Sequence, residues 1–217
     1  MKKKYLKLTC AFSIMLMILG CYPHDNVGTS EYDIVVTNYN KDFNYQNLTS
    51  FALPDSIVLI TDQTSATNRT FLNKATAQLI LNQIATNLTS MGWVDNSDDT
   101  ANASVIILPT VFQTTTVNYY YPYSYWGWYY PGYYPGYGWG YPGYGGYPLT
   151  TSYQTGTLLM QMTYRKGIEA GSVPVLWTGL VNGLINANGS STSSINARIV
   201  SDINQAFTQS PYLNIKK

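Results

Sequence analysis

Thirty consecutive residues, Tyr119 to Pro148, are drawn only from Tyr, Trp, Pro and Gly, with a single serine at Ser124. Nothing in this stretch ionises near neutral pH, and Pro and Gly recur too often for a helix or a long strand to run through it. The folded part of the chain must therefore be assembled from what lies on either side. The two best strand patterns flank the block, Val105 to Val117 before it and Tyr153 to Tyr164 after it. The simplest topology pairs them as antiparallel neighbours and makes the aromatic block the long tip of a hairpin.

The first twenty residues stand apart from that domain. Lys2, Lys3, Lys4 and Lys7 form a positive region, and Leu8 to Leu19 is an apolar run. This is the pattern of a signal peptide, and the run is short for a membrane span, which needs about 20 apolar residues. Ile18-Leu19-Gly20-Cys21 then resembles the bacterial lipobox, in which a small residue precedes a cysteine that takes lipid on sulfur and becomes the new N-terminus. Two or three acyl chains hold a protein firmly on a membrane, whereas one chain holds it only marginally. Cys21 is thus the expected lipidation site, and residues 21–30 a short tether. The expected address is the cell envelope, lipid-anchored at the outer membrane.

The other cysteine, Cys10, leaves with the signal peptide, so the mature chain has no thiol pair to form a disulfide. The chain carries twelve Lys and Arg against eleven Asp and Glu. Removing residues 1–20 takes four lysines and no acid, leaving eight against eleven, a net charge of minus three. A basic stripe is absent, and nucleic acid is excluded as an expected partner.

Along the mature chain, Asp33 to Thr37 reads as a first strand and Ser50 to Leu53 as a second, ended by Pro54; Ile57 to Ile60 is either another strand or a core-facing loop. Ala77, Ile80, Leu81, Ile84, Leu88 and Met91 fall on one helical face, with Thr67 or Asn68 as caps and Gly92 as the stop. Trp93 and Val94 begin a short strand. Val105 to Leu108 is continuously apolar, as in a strand covered on both faces, and the pattern continues to Val117. Beyond the block, Leu158, Met160, Met162 and Tyr164 alternate with Thr155, Thr157, Gln161 and Thr163, the signature of a half-buried strand. A last strand spans Val173 to Val181. The closing helix carries Ile195, Ile199, Ile203 and Ala206, capped by Thr192 or Ser193 and stopped before Pro211. The expectation is one α+β domain over residues 31–217: a two-layer, mainly antiparallel sheet packed against two helices, with a long aromatic Gly/Pro-rich hairpin insert at residues 119–148.

Several of these residues also form a constellation. Asp42-Phe43, Tyr45, Ser50-Phe51-Ala52, Gly156-Thr157-Leu158, Leu176-Trp177-Thr178-Gly179 and a terminal helix ending in Phe207 before Pro211 together resemble the bacterial envelope lipoproteins grouped as domain of unknown function 4136. The resemblance runs from about Tyr32 to Pro211. It implies a compact domain with a sheet packed against helices, commonly behind a lipobox, and it brings no catalytic residue with it. The aromatic block is the chief departure from the family's pattern; Asn102 also stands near a place where an acid is common.

The inventory for catalysis is thin. A site needs a nucleophile with a base and an orienting group, or metal ligands at workable spacing. His24, the single histidine, lies three residues after Cys21, in the tether. Asp98 and Asp99 sit in a segment, Asp95 to Asn102, that lacks the alternating ligands, central glycine and distal glutamate of a calcium loop. Asp55 and Asp62 are loop acids of the solvated kind. The expectation is a non-enzymatic protein without metal or cofactor. The aromatic block admits three readings: low-complexity chain without fixed structure, an adhesive surface, or a lid folded over the sheet. In the adhesive reading the rings stack on sugar faces or on a partner protein's side chains, and Tyr125, Trp126, Trp128, Tyr133, Tyr137 and Trp139 are the candidate binding residues. An assembly subunit that binds through a sheet edge is the alternative from another class.

The lipobox yields a direct prediction. Intact-mass analysis of the membrane fraction should find a mature chain beginning at an acylated Cys21, and Cys21→Ala should accumulate as unprocessed precursor. A mature start elsewhere, or an unmodified Cys21, would refute the anchor.

Overall fold

A computed structural model of the chain describes residues 35–61, 70–113, 156–164, 166, 174–183 and 191–216. In order, these form β1 (Val35–Tyr39), β2 (Ser50–Ala52), β3 (Val58–Ile60), α1 (Lys74–Ser90), β4 (Val94–Asp95), β5 (Val105–Phe112), β6 (Thr157–Thr163), β7 (Val175–Val181) and α2 (Thr192–Thr208), with short 3-10 turns at Tyr45–Asn47, Ser97–Asp99 and Pro211–Leu213. The seven strands make one sheet in the order β1-β7-β6-β5-β2-β4, and β3 also pairs with β5. The α+β architecture with two helices is as the sequence predicts. The sheet itself is mixed: the long pairings β1 with β7, β7 with β6 and β6 with β5 are antiparallel, while the short ones of β2 and β3 with β5, and of β2 with β4, are parallel.

Strand β5 is the hinge of this plan. One edge pairs with β6 from Ile106↔Thr163 to Phe112↔Thr157. Its other edge is shared: Val105 and Ile106 take β2, and Thr110 to Phe112 take β3. Being hydrogen-bonded on both edges, it can be apolar on both faces, and all eight of its residues are buried.

One face of the sheet meets both helices. Phe51, Val105, Ile107, Val111, Leu158, Met160, Met162, Trp177 and Val181 form a single cluster with Ala77, Ile80, Leu81, Ile84 and Leu88 of α1 and Ile199, Ile203, Ala206 and Phe207 of α2; Ile195 packs at its margin. The stripes read from helical spacing are therefore the core stripes. The two helices also touch through polar groups: Asn204 Oδ1 accepts from Gln83 Nε2 at 2.6 Å and from Asn87 Nδ2 at 2.8 Å.

Local boundaries differ from expectation in instructive ways. Thr67 and Asn68, the expected caps of the first helix, lie outside the described residues; α1 begins at Lys74 and Asn73 caps it, its Oδ1 accepting from Thr76 N at 3.0 Å. Ser191, rather than Thr192 or Ser193, caps α2 through Ser194 N. α1 thus starts downstream of its expected caps and α2 upstream, each directly after a residue whose side-chain oxygen accepts from the first turn. Trp93 precedes β4 and turns inward, donating its Nε1–H to Leu213 O at 2.8 Å.

The largest correction concerns β6. Its residues are buried without exception, including Thr157, Gln161 and Thr163. Thr157, Gln161 and Thr163, together with Ala52, Val58, Ile60, Ile106, Leu108, Phe112 and Leu159, are buried outside the cluster that meets the two helices and line the opposite face of the sheet. The threonines tolerate this because their hydroxyls find acceptors on the sheet: Thr163 Oγ1 donates to Ile106 O at 3.0 Å and Thr157 Oγ1 to Asn182 Oδ1 at 2.9 Å. A pattern of alternating polarity thus signals two environments without requiring that either be wet.

Trp177 locks the sheet to the C-terminal segment. Its ring is 1 % exposed, lies 5.2 Å from Phe207 between ring centroids, and donates Nε1–H to Ser210 Oγ at 2.8 Å. Gly179 makes room for it: a Cβ at that position would fall 2.7 Å from the indole. Trp177→Ala should cost about 3 to 5 kcal/mol, and Ser210→Ala, which strands the buried indole N–H, about 1 to 3 kcal/mol. Urea unfolding of both variants checks this, and a midpoint close to wild type for Trp177→Ala would contradict the burial.

Candidate functional site

The residues expected to bind or anchor, Cys21, Tyr125, Trp126, Trp128, Tyr133, Tyr137 and Trp139, all lie outside the described residues. So does the aromatic block as a whole. The structure does describe the place from which the block departs and to which it returns. Phe112 closes β5, Thr157 opens β6, and the two are paired across the sheet. Gly156 N donates to Phe112 O at 2.7 Å, and Gln113 N donates to Ile60 O at 2.8 Å. Gly156 has φ +90, a backbone conformation that a side chain disfavours, so glycine serves at the return point. Thr157, paired with Phe112, is tied sideways to Asn182 at the end of β7. The chain between Gln113 and Gly156 therefore begins and ends on two adjacent, hydrogen-bonded strands.

This neck sits at one identifiable end of the domain. Val35, Val181, Leu158 and Val111 lie in one row across β1, β7, β6 and β5, and Phe112↔Thr157 is the next pair beyond it. Tyr39, Trp177, Met162 and Ile107 form the corresponding row four residues away. At about 3.3 Å per residue the two rows are roughly 13 Å apart.

Near the second row is a cluster of rings. Tyr39 stacks on Tyr212 at 3.6 Å between centroids and 17°, Phe43 meets Tyr45 and Tyr164 edge-on at 5.4 and 5.2 Å, and Tyr45 donates its hydroxyl to Leu176 O. Beside them Ser210 Oγ accepts from Trp177 Nε1 and from Tyr212 at 3.1 Å and donates to Ala206 O at 2.9 Å. Two lone pairs and one proton are all a hydroxyl has, so Ser210 is saturated and fully buried, a joint and not a nucleophile. Burial raises the Tyr212 hydroxyl above its ordinary value, opposed by the bond to Ser210. It stays protonated at neutral pH and keeps donating.

Other candidates are spread apart. Asp55 is exposed and accepts from Ser56 Oγ at 3.0 Å, while Asp62 lies outside the described residues. Asp95 and Asp99 serve the turn, accepting from Ser97 Oγ and from Asn102 Nδ2 at 2.7 Å. Among the described residues no three His, Cys, Asp or Glu side chains gather as a metal site. Reading by residue type misses Gln161, a long polar side chain 3 % exposed in the second buried face, whose Oε1 meets no hydrogen-bond donor among the described residues. Its alternation with Met160 and Met162 suggests solvent instead.

Comparison with known proteins gives the chain relatives. No curated protein matches it. Among solved structures it is similar to a DUF4136 family protein from Bacteroides thetaiotaomicron VPI-5482, with 30% sequence identity, a TM-score of 0.63, and coverage of 85% of this chain and 98% of that one. It is also similar to a PelC dodecamer from Paraburkholderia phytofirmans, at 12% identity and a TM-score of 0.42, over 85% of this chain and 99% of that chain. The family model for a domain of unknown function, DUF4136, matches residues 35–212, which takes in every described strand and both helices. The chain belongs to the DUF4136 family.

Proposed function

We propose that this protein is a non-enzymatic lipoprotein of the cell envelope, held at the outer membrane by lipid on Cys21, whose domain presents the uncharged aromatic block at residues 119–148 to a glycan or to another envelope protein. The observation that carries this reading is the neck. A segment of 42 residues, 114–155, is inserted between two strands that remain in register up to Phe112↔Thr157. A protein that used these residues only to connect β5 and β6 would need about two.

The composition of the block fits adhesion. Tyr and Trp offer flat apolar faces with a polar handle, which is what stacking on the apolar face of a sugar or on a partner's side chains requires. The lack of charge removes the desolvation cost that charged side chains would bring to such a contact. A binding module bears its working surface outside its core, and here the helix-facing core is closed by apolar contacts and by the saturated hydroxyl of Ser210.

A second reading, an assembly subunit that adds a partner strand to the sheet, draws on the position of β1. It pairs with β7 on one side, and no described strand lies on its other side.

Replacing Tyr119 to Pro148 by a tight Asn-Gly turn tests the proposal. Closure entropy changes by only about 0.6 kcal/mol for each doubling of loop length. The melting temperature should therefore stay nearly unchanged or rise, while retention on envelope glycans or capture of envelope proteins is lost. Binding that survives the replacement would favour the sheet edge, and failure to fold would make the rings part of the core.

A further inference from the structure

One dipeptide of the described chain sets an electrophilic carbon beside a main-chain nitrogen that makes no hydrogen bond. Asn182 and Gly183 follow Val181, the last residue of β7, and both are half-buried, within reach of water. Among the described asparagines Asn182 alone is followed by glycine. A main-chain nitrogen can close on the side-chain carbonyl of the asparagine before it and form a five-membered imide. A Cβ on the following residue crowds that approach, and glycine has none.

The hydrogen bonds around the pair favour the same closure. Thr157 Oγ1 donates to Asn182 Oδ1 at 2.9 Å, which draws electron density from Cγ and supplies a donor where negative charge develops when Cγ is attacked. Nδ2, the group that must leave, has no partner among the described residues. Gly183 N–H likewise donates to no described group, while Gly183 O accepts from Arg198 Nη2 at 3.1 Å. That guanidinium brings positive charge near the nitrogen that has to lose its proton, and so favours the anion. Other described asparagines are placed differently. Asn82, Asn87, Asn196 and Asn204 lie inside helices, where the next N–H is committed to a helical bond. At Asn38 the next N–H, that of Tyr39, is already bonded to Oδ1.

We propose that Asn182 is a site of spontaneous covalent modification, in which Gly183 N displaces ammonia from the Asn182 side chain and water then opens the imide to aspartate or isoaspartate. In the first step the bond from Gly183 N to Cγ forms and the Cγ–Nδ2 bond breaks; the proton of Gly183 N passes through solvent to the departing ammonia. In the second, water adds to one of the two imide carbonyls. Addition at Cγ cleaves its bond to Gly183 N and leaves aspartate. Addition at the main-chain carbonyl cleaves the original peptide bond and leaves the chain running through Cγ, as isoaspartate. Neither step is a redox step, and water is the co-reactant. The consequence falls on the neck. Aspartate keeps an acceptor for Thr157, whereas isoaspartate lengthens the main chain by a methylene and takes Oδ1 away from Thr157, releasing the sideways hold on the first residue of β6.

Peptide mapping by mass spectrometry tests this on the full chain, held in heavy-oxygen water at mildly alkaline pH and compared with the same protein held in urea. Asn182 should convert in the native protein at least as fast as in urea, giving fragment ions of both aspartate and isoaspartate, with heavy oxygen in the product. The heavy oxygen separates this conversion from any that occurs during digestion. The rate should rise with pH, because the attacking nitrogen must lose its proton. Gly183→Ala should slow conversion about tenfold by placing a Cβ beside that nitrogen. Thr157→Val, which keeps the shape and removes the donor, should slow it several-fold in the native protein and leave the rate in urea unchanged. An Asn182 that stays intact in the native protein while it converts in urea overturns the proposal, since the fold would then protect the residue. Faster conversion in Thr157→Val overturns it as well, because the Thr157 bond would then restrain the side chain instead of activating it. Asn188, also followed by glycine and outside the described residues, serves as an internal control in the same digest. Conversion at Asn188 with Asn182 intact counts against the proposal in the same way.

Discussion

The burial of one indole ties this domain together. Trp177 sits in the middle of β7, yet its ring reaches Phe207 at the end of α2 and its N–H ends on Ser210 in the segment that follows. No cysteine occurs among the described residues, so closure between the sheet and the C-terminal helix depends on such contacts. Three features are arranged around it. Gly179 leaves space that any Cβ would fill, Met160 reaches the same space from the next strand, and Ser210 uses all its hydrogen-bonding capacity on Trp177, Tyr212 and Ala206. A large apolar ring with one polar atom is stable in a core only when that atom is satisfied, which explains why a serine stands in an otherwise apolar pocket.

Around this joint the sheet divides its labour. The antiparallel part, β1-β7-β6-β5, supplies long registers and the face on which both helices lie. The parallel part is made of short strands, β2 and β3, each bonded to a different half of one edge of β5. Parallel pairing needs a crossover, and the α1 crossover from β3 to β4 and β5 provides it while burying Ile80, Ile84 and Leu88. The helix that the connection demands is thus also the helix that the core demands.

Much of this was legible in the residues. Helical spacing identified both core stripes, the apolar run of β5 announced a strand covered on two faces, and the separated fragments from Asp42-Phe43 to Phe207 suggested the family that the chain does belong to. What the sequence hid has physical causes. The short parallel strands β2, β3 and β4 have two or three residues each, too few to carry a period, so Val58 to Ile60 reads equally as loop. Capping depends on which of several adjacent polar residues turns its oxygen to the helix, and Asn73 and Ser191 stand among other candidates. The burial of Thr157, Gln161 and Thr163 was masked because residue type reports polarity, whereas burial depends on whether an acceptor such as Ile106 O is within reach. The candidate binding residues, Tyr125 to Trp139, were read from composition alone and lie outside the described residues.

The neck shows why this fold can carry so unusual a passenger. An insertion threatens a sheet when it breaks register, because a shift of one residue turns every side chain to the opposite face. Here the register on the far side of the insertion is pinned by contacts that do not involve it. Strand β6 is held by β7 from Leu158↔Val181 onward as well as by β5, and Thr157 is held by Asn182. On the near side, Gln113 is bonded to Ile60 of β3. Each strand leading into the insertion therefore has a second partner, independent of the connection between them. Closing a longer connection costs little entropy, and slippage is opposed on both sides. The register of β5 and β6 is therefore held from both sides by partners other than the connection between Gln113 and Gly156, whatever that connection is made of.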